Sequence, residues 1–459
     1  MSSTLGSPEN PLRVAVVGSG PSGFYAAESL LQSDKKVTVD MFERLPAPYG
    51  LVRYGVAPDH PKIKNVIKIY EKIAEKPNFS FLGNVTVGRD IGVQELRNFY
   101  DVILLTYGAA SDRKLGIPGE DLPGSYTATE FVAWYNGHPD YRDRKFDLSG
   151  KVAVVIGQGN VAADVCRILC KTPDELKNTD IAQHALEALQ QSKIGEVHMV
   201  GRRGPAQAAF TPIEIREFGE LADCDPVVDP LDLELNPASR TELETVKELT
   251  RKKNIEILQK FAALGASSKR KKIFIRFLRS PVEIKGNGRV EKVVFEKNEL
   301  TGEPGKQQAR ATGQKEEWPC GIFFRSVGYH GVPTPGVPFD ERAGVILNQE
   351  GRVTESGRVI PGIYAAGWIK RGPTGVIGTN KADSDETVRH IFEDISQLPA
   401  APQRDTRLLL ESLKKKGVRV VSFPGWKKID AQEISRGQPA GKPREKFTSV
   451  AEMLSVLNS

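Results

Sequence analysis

Cysteine is scarce in this 459-residue chain, which has four, at positions 166, 170, 224 and 320. So few scattered thiols build neither a disulfide framework nor an iron–sulfur cluster, and they suit a reducing compartment. Redox thiols paired as C-x-x-C or C-x-x-x-x-C are also missing. Cys166 and Cys170 lie one helical turn apart, which is typical of small packing residues. The sequence therefore argues against dithiol chemistry, and we expect no bound metal.

Long apolar runs are missing too. No segment approaches the roughly 20 apolar residues that span a bilayer. The first residues, MSSTLGSPENPL, have neither an apolar core nor the Arg-rich, acid-poor pattern of a transit peptide. We therefore expect a cytoplasmic protein, with the mitochondrial matrix as the alternative for a mature chain. With 39% hydrophobic and 27% charged residues, the chain is long enough for two or three globular domains.

Dense blocks of like charge are also scarce. The chain has 64 Lys and Arg residues against 58 Asp and Glu residues, a formal charge of +6. Nucleic-acid binding would favour dense Lys/Arg segments with interleaved aromatic residues. We therefore expect an acidic protein or an anionic ligand as partner, no binding to nucleic acid or membranes, and a monomer.

What the chain does contain is a glycine turn that occurs twice. In VAVVGSGPSGFYAAESLL, Gly18, Gly20 and Gly23 have the spacing G-x-G-x-x-G between an apolar strand and a helix. The first glycine permits a tight turn, the second lets a pyrophosphate approach the backbone, and the third lets helix and strand pack closely. The strand VTVDMFE ends in Glu43, where a carboxylate can accept hydrogen bonds from a ribose. The alternative is a purely structural turn.

The second turn lies in VAVVIGQGNVAADVCRIL, where Gly157, Gly159 and Ala162 form the G-x-G-x-x-A variant. Its following strand, in GEVHMVGRRGP, ends in Arg202 and Arg203 instead of an acid. Paired guanidiniums offer fork-shaped donors to a 2′-phosphate. The turn therefore predicts an NADP(H) site, and the alternative is a solvated arginine pair at a strand end.

The strand after the first turn ends in an acid and the strand after the second ends in two arginines, so the two turns are predicted to bind different dinucleotides. The first turn predicts a dinucleotide without a 2′-phosphate, most simply FAD, and the second predicts the hydride donor. Together they indicate a flavoprotein reductase. Because the redox thiols are missing, its electrons must leave for a separate acceptor.

Several longer motifs carry a family resemblance. They are ERLPAPYGLVRYGVAPDHPKIKNV, GNVTVGRD, YGAASDRKLGIPGE, WYNGHPD, GQGNVAADVCRIL, VGRRGPAQAAFT, YAAGWIKRGPTGVIGTNKADSDETV and GKPREK. The chain resembles the adrenodoxin reductase family of NADPH-dependent ferredoxin reductases. The resemblance extends from near residue 12 to near residue 450.

The resemblance implies an α/β fold with two Rossmann-like dinucleotide-binding domains. The FAD domain is expected to be discontinuous, at residues 1–109 and 328–459, with the NADP domain inserted at residues 110–327. A hydride is expected to pass from NADPH to FAD, and single electrons then pass to an acidic ferredoxin-type iron–sulfur protein. Arg216 lies where the family presents basic side chains to that partner.

The resemblance also implies individual contacts. Ser22, where relatives often have alanine, Glu43, Leu51 and Val87 are expected to contact FAD. The expected NADP contacts are Gln158, Gly159, Asn160, Val161, Arg202, Arg203 and Glu214. Trp368, Gly375, Val376 and Ile377 are expected where flavin and nicotinamide meet.

The late motif has a physical interpretation of its own. GIYAAGW predicts a strand, and GPTGVIGTNKADSDETVRHI predicts a glycine-rich turn into a helix whose amide dipoles face developing negative charge. Trp368 offers an aromatic face to a nicotinamide ring, or is a core tryptophan. His60 and Glu214 are the polar groups predicted near the reaction centre, where they can relay a proton. The alternative for each is surface hydrogen bonding.

Two other function classes stay open on the sequence. One is a flavin monooxygenase, and the other is a non-catalytic NADP-sensing module. The segment SKRKK, residues 268–272, is predicted to be a local charged loop, and the C-terminal segment is given only a packing role.

Overall fold

A computed structural model describes residues 4–245, 249–265 and 267–458. In chain order its strands are β1 Leu12–Val17, β2 Val37–Glu43, β3 Phe79–Gly83, β4 Val102–Leu105, β5 Ser111–Asp112, β6 Ser125–Thr127, β7 Val152–Ile156, β8 Glu196–Val200, β9 Cys224–Val228, β10 Lys271–Arg276, β11 Arg279–Lys285, β12 Lys292–Thr301, β13 Gln308–Pro319, β14 Ile322–Arg325, β15 Tyr329–His330, β16 Phe339–Asp340, β17 Val345–Ile346, β18 Asn348–Gln349, β19 Arg352–Glu355 and β20 Arg358–Ala365.

The α-helices alternate with these strands over much of the chain. They are α1 Pro21–Leu31, α2 Leu51–Tyr54, α3 Pro61–Lys64, α4 Ile67–Ala74, α5 Val93–Leu96, α6 Ala128–Tyr135, α7 Asn160–Cys170, α8 Pro173–Leu176, α9 Gln183–Gln190, α10 Pro212–Arg216, α11 Pro237–Thr245, α12 Leu249–Ala262, α13 Trp368–Arg371, α14 Thr379–Glu393, α15 Thr406–Lys415, α16 Phe423–Gly437 and α17 Val450–Ser455. Across the described ranges, no helix is long and apolar enough to cross a bilayer.

The first sheet is built from both ends of the chain. Its strand order is β18-β19-β20-β4-β1-β2-β3, and the strands from β20 to β3 are parallel. β1 and β4 are buried over their whole lengths. β4 is apolar throughout, and β1 is apolar except for the buried Arg13, a pattern typical of central parallel strands that helices cover on both faces. Because β20 follows the second sheet in sequence, the unit that holds the first glycine turn is discontinuous, as predicted.

The second sheet comes from the middle of the chain and has the order β6-β14-β7-β8-β10-β9, with every pairing parallel. An antiparallel sheet of β11, β12 and β13 accompanies it. The prediction that SKRKK forms a loop is partly wrong, because Lys271 and Lys272 begin β10. Lys271 donates a hydrogen bond to the Leu169 carbonyl at 2.9 Å, so its charge does not prevent strand formation.

A short ribbon joins the two units. β5 and β15 pair antiparallel, with Tyr329 opposite Asp112 and His330 opposite Ser111. The chain thus leaves the first unit and returns to it through adjacent strands. The boundaries expected at residues 109/110 and 327/328 stay a prediction, and both lie next to this ribbon.

The C-terminal segment packs on both units. Trp426 of α16 is buried in the hydrophobic core of the first unit, and Glu433 pairs with the buried Arg53 at 2.6 Å. Beyond α16, Lys446 pairs with Asp180 of the second unit at 3.1 Å, and Lys442 donates to the Ile181 carbonyl at 3.0 Å. The segment therefore stabilises the interface between the units as well as one core.

Candidate functional site

The first glycine turn has the geometry that a bound pyrophosphate requires. Gly18 has φ +110°, and a Cβ there would lie 2.6 Å from the Tyr107 Cα. A Cβ on Gly23 would lie 2.1 Å from the Gly18 carbonyl oxygen, so only glycine lets α1 pack this closely. At Gly20, which precedes α1, a Cβ would meet nothing within 4 Å. Gly18 and Gly23 are therefore tightly packed, whereas Gly20 borders open space, as the G-x-G-x-x-G spacing predicts.

Glu43 ends β2 beside this turn. The Ser19 hydroxyl donates to Glu43 Oε2 at 2.6 Å, and the Leu45 amide donates to Oε1 at 3.1 Å. These hydrogen bonds hold the carboxylate at the carboxyl edge of the parallel sheet, where dinucleotides bind. The contact of Glu43 with a ribose stays a prediction.

Ser22 is placed differently from an open glycine-turn residue. Its side chain is buried, and its hydroxyl lies 3.1 Å from Asn380 Oδ1. A Cβ on Gly367 would lie 2.0 Å from the Ser22 oxygen. The Ser384 hydroxyl also donates to the Ser22 carbonyl at 3.0 Å. The hydrogen bonds of Ser22 therefore connect α1 to α14. Its expected contact with FAD stays a prediction.

The other two expected FAD contacts lie on different elements. Leu51 begins α2 and is 36% exposed, whereas the next three residues of the helix are buried. Val87 is half-buried and packs against the core beneath the first sheet. Their contact with a flavin stays a prediction.

The second glycine turn repeats the geometry of the first. Gly157 has φ +134°, and a Cβ there would lie 2.2 Å from the Ser326 carbonyl oxygen. A Cβ on Gly159, which precedes α7, would meet nothing within 4 Å. Ala162 is completely buried against the neighbouring strands. The G-x-G-x-x-A variant therefore leaves the same open space at a helix N-terminus, where phosphate binds.

The predicted NADP contacts beside this turn hold the surrounding loops. Gln158 Nε2 donates to the Arg276 carbonyl at 2.8 Å. Asn160 Oδ1 accepts from the Thr211 amide at 2.8 Å, and Val161 is half-buried. The Gln158 side chain therefore connects the turn to the end of β10. Asn160, together with the Ala209 amide that donates to the Gln158 carbonyl at 2.8 Å, connects the turn to the end of the loop from residue 201 to residue 211.

Arg202 and Arg203 are exposed at the end of β8. Within residues 4–245, 249–265 and 267–458, neither guanidinium has an acidic partner within 4 Å. Partial burial, followed by the charges of Arg202 and Arg251, lowers the pKa of Arg203. No described acid therefore contacts these two positive charges, although Glu242 is near enough to act on Arg203, and a phosphate would neutralise them.

The late motif forms β20, the short helix α13 and a loop into α14. Trp368 is half-buried, its ring centroid lies 5.2 Å from that of Tyr329, and its indole nitrogen donates to the Thr374 carbonyl at 3.1 Å. It is therefore not a core tryptophan. Gly375 and Val376 are exposed, with Val376 64% exposed, and Ile377 is half-buried. The loop is thus open to a ligand at the first unit's surface.

His60 and Glu214 come together where the two units meet. His60 Nε2 lies 3.8 Å from Glu214 Oε2 and 2.9 Å from Glu217 Oε2. His60 belongs to the first unit, whereas both glutamates follow the second glycine turn. The side chains of His60 and Glu214 are about nine-tenths buried, so the alternative of surface hydrogen bonding does not describe them.

The electrostatics of this pair are unusual for side chains at neutral pH. Burial, followed by the charge of Asp164, raises the pKa of Glu214 to about 7. Burial opposes the charged form of His60, but the hydrogen bond with Glu217 and nearby acids outweigh it and raise the pKa of that ring. Both groups therefore retain protons more readily than their unperturbed counterparts, which suits proton transfer.

Sequence reasoning missed the residue at the centre of this arrangement. Arg167 of α7 has no exposed side-chain surface and pairs with Asp59, Asp164, Glu214 and Glu217. The signal available in the sequence was a lone arginine within the apolar helix NVAADVCRILC. Tyr329 and Asn380 were also missed. Tyr329 packs beside the Trp368 ring, with 5.2 Å between the ring centroids, and burial, followed by the charge of Asp112, raises its pKa.

The described cysteines are free and buried. Cys166 and Cys170 have no exposed surface in the second core, which confirms their packing role. Burial raises the pKa of Cys320 to about 12 and also raises those of Cys166 and Cys170. Thiols with such pKa values are poor nucleophiles.

Two open cradles, each at a glycine turn before a helix, fit two dinucleotides. The open space at Gly20 and Gly159 fits pyrophosphates, and the acid at Glu43 fits a free ribose. Arg202 and Arg203, which no described acid contacts within 4 Å, fit a 2′-phosphate. The fold and site thus define a flavoprotein oxidoreductase that binds FAD and NADP(H).

Comparisons with known proteins narrow this class. The family model for pyridine nucleotide-disulphide oxidoreductases matches residues 12–203. An NADPH-ferredoxin reductase, FprA of Mycobacterium tuberculosis, is 47% identical over 97% of this chain and 99% of its own length. The mitochondrial NADPH:adrenodoxin oxidoreductase of Bos taurus is 44% identical over 98% of this chain and 92% of its own.

A solved structure agrees with the sequence relatives. The structure of Mycobacterium tuberculosis FprA in complex with NADPH superposes with a TM-score of 0.93, at 46% identity, over 98% of this chain and all of that one. The chain belongs to the adrenodoxin reductase family.

Proposed function

We propose that this protein transfers a hydride from NADPH to FAD and passes the electrons singly to a ferredoxin-type iron–sulfur protein. The observation that carries the proposal is the pair of open glycine turns with opposite charges beside them. One turn lies next to Glu43, and the other lies next to Arg202 and Arg203, which have no acidic partner in the described ranges. The names of the close relatives support the same acceptor.

The residues divide the work of binding. Gly18, Gly20 and Gly23 admit the FAD pyrophosphate, and Glu43 accepts hydrogen bonds from its ribose. Gly157 and Gly159 admit the NADP pyrophosphate, while Arg202 and Arg203 hold the 2′-phosphate. The remaining contacts proposed for FAD are Ser22, Leu51 and Val87, and those proposed for NADP are Gln158, Asn160, Val161 and Glu214.

The loop after α13 is proposed to line the meeting point of the two ring systems. Trp368 presents an aromatic face there, and Gly375, Val376 and Ile377 form the approach to α14. Bound FAD supplies the redox chemistry, taking two electrons as hydride and releasing them one at a time. Hydride transfer needs no general base, so alignment of the rings carries most of the acceleration.

His60 and Glu214 are proposed to manage the proton that accompanies reduction. They lie 3.8 Å apart across the boundary between the two units. Since the pKa of Glu214 is about 7, that carboxyl can give or take a proton near neutral pH. Burial keeps bulk water from exchanging freely with the pair.

The acceptor is proposed to be acidic and to dock near Arg216. That residue is exposed on α10, and it has no acidic partner within 4 Å in the described part of the chain. The formal charge of +6 favours the same partner. A cytoplasmic location and a monomeric state remain predictions.

A spectrum distinguishes the proposed function from its alternatives. Purified protein that is yellow and bleaches with NADPH without oxygen consumption, and then reduces a ferredoxin, supports a reductase. A yellow protein that yields peroxide or hydroxylated product would be a monooxygenase. A colourless protein that binds NADPH without turnover would be a sensor and would contradict the proposal.

A further inference from the structure

Arg167 is an unusually placed charge. Its side chain has no exposed surface, although a buried guanidinium has five N–H groups that need acceptors. Nε lies 2.9 Å from Asp59 Oδ2, and Nη2 lies 3.1 Å from Asp59 Oδ1. This two-pronged pairing fixes the carboxylate in both position and plane. Asp59 directly precedes His60, so the pairing also fixes the backbone that carries the imidazole.

The rest of the guanidinium faces the other unit. Nη1 lies 3.2 Å from Glu214 Oε2 and 3.2 Å from Glu217 Oε2. Glu217 in turn lies 2.9 Å from His60 Nε2. One rigid fork therefore contacts the loop that holds His60 and the helix that holds Glu214, although these come from different units.

Negative charge is in excess around this fork. The charged and titratable groups that face it are, from the loop before α3, Asp59 and His60; from α7 and its end, Asp164 and Lys171; from α10 and the turn after it, Glu214 and Glu217; and from α6, Tyr135. Arg167 and Lys171 are the permanent cations of the set, against four carboxyl groups. Without Arg167, the permanent cation left in this set would be Lys171, which pairs with Asp59, so Asp164, Glu214 and Glu217 would have no permanent cation of the set in contact.

We propose that Arg167 is a positioning residue that sets the distance, the orientation and the protonation of His60 and Glu214 across the boundary between the two units. The inference deepens the proposed function, because it assumes that these two groups handle the proton of the reaction. It concerns a residue that would touch neither dinucleotide in this role.

Two substitutions of Arg167 distinguish the effect of its positive charge from the effect of its planar guanidinium. Arg167→Met removes a positive charge beside His60, so the imidazole should hold its proton to higher pH. Arg167→Lys keeps a charge but cannot contact Asp59 and Glu214 together in the same plane. The lysine variant should therefore lose the alignment that sets the protonation of Glu214 while it keeps the charge.

The first measurement needs no turnover. The His60 ring is followed by NMR through a pH titration of the FAD-loaded protein, with its signal among the six histidines assigned by His60→Gln. The midpoint should move to higher pH in Arg167→Met. Arg279 is the matched control, because it is also mostly buried and pairs with two acids, Asp232 and Glu316, within the NADP unit. Arg279→Met should leave the His60 midpoint in place.

The second measurement is the rate of flavin bleaching by NADPH in stopped flow. At saturating NADPH, Arg167→Lys should shift the pH dependence of the bleaching rate near neutrality, where Glu214 changes its protonation, more than it changes the maximal rate, because the hydride step itself needs no general base. The concentration of NADPH for half-saturation should change less than about twofold, because Arg202 and Arg203 are intact. Arg279→Lys should match the unaltered protein in both values.

The outcomes separate the inference from the function that it assumes. If the unaltered protein fails to bleach, the proposed function is wrong, and the NMR shift alone still tests the positioning. An unaltered pH dependence of bleaching in Arg167→Lys, with the His60 midpoint unmoved in Arg167→Met, overturns the inference. So does failure of both Arg167 variants to fold while both Arg279 variants fold, since Arg167 would then serve stability alone.

Discussion

Replacing Arg202 and Arg203 together with alanine should abolish most of the preference for NADPH over NADH. Both side chains are exposed at the end of β8, and neither is held by an acid among the residues that the structure describes. Among the residues that the structure describes, no ion pair of these arginines has to break when a phosphate binds, and none is lost on substitution. The change should therefore act on the ligand and leave the fold intact.

The magnitude follows from hydrogen bonds to a charged group. Each such bond contributes about 1.5 to 3 kcal/mol, and 1.4 kcal/mol is a factor of ten in affinity. Since the site is open to water, the lower value applies, and loss of two bonds predicts a fall in preference of about a hundredfold. Most of the effect should lie in a higher KM for NADPH, because the 2′-phosphate is remote from the reacting carbon.

Steady-state kinetics with both nucleotides and a small dye acceptor measure this preference. Activity with NADH should change little, since Gly157, Gly159 and Trp368 are untouched. Glu43→Ala is the control, because it acts beside the first turn and should weaken FAD retention without altering the choice of nucleotide. If the double variant kept its full preference for NADPH, the assignment of the second turn to NADP would be wrong.

Three further predictions follow from other features. Replacing all four cysteines with serine or alanine should leave NADPH-dependent ferredoxin reduction largely intact in folded protein, because the thiols are buried; loss of electron transfer with FAD still bound would contradict this. Ferredoxin reduction should slow steeply as salt rises, whereas ferricyanide reduction changes much less, because exposed charges near Arg216 are screened over roughly 8 to 10 Å; equal salt dependence would refute the docking model. Burial lowers the pKa of Lys446 to about 7, so between about pH 7 and pH 10 the unfolded chain binds more protons than the folded one and stability rises with pH. Lys446→Met should flatten that rise in Tm, and an unchanged slope would refute this reasoning.

The glycine turns could be predicted because their information is local. The packing of Gly23 against Gly18 and the open space at Gly20 involve residues within one strand, turn and helix. The acid at the end of β2 and the arginines at the end of β8 follow from strand length. The family resemblance then supplied the discontinuous first unit, which no local pattern shows.

The cluster at the boundary between the units could not be predicted in the same way. Arg167 contacts Asp59, Asp164, Glu214 and Glu217, which are separated by up to 158 positions in the chain. No periodicity brings such residues together, because only tertiary packing decides which acid meets the fork. The short distance between His60 and Glu217 was missed for the same reason.

The wrong part of the SKRKK loop has a different cause. A run of positive charge suggested a loop in solvent, but Lys271 donates a hydrogen bond to the Leu169 carbonyl, and β10 lies between β8 and β9. A long lysine side chain can bury its stem while its amine reaches an acceptor. Charge alone is therefore a weak signal against a strand.

Because β20 pairs with β4, the sheet of the first unit can be completed only after the second unit has been synthesised. Every strand of the second sheet lies between residues 125 and 325, so all strands of that sheet are available once this stretch has left the ribosome. The first sheet still lacks the strands from Asn348 to Ala365 at that moment, and β4 waits with an unpaired edge. Because domains fold as units during synthesis, the inserted unit can complete its sheet before its host does, and the edge of β4 stays unpaired until the strands from Asn348 to Ala365 have been synthesised.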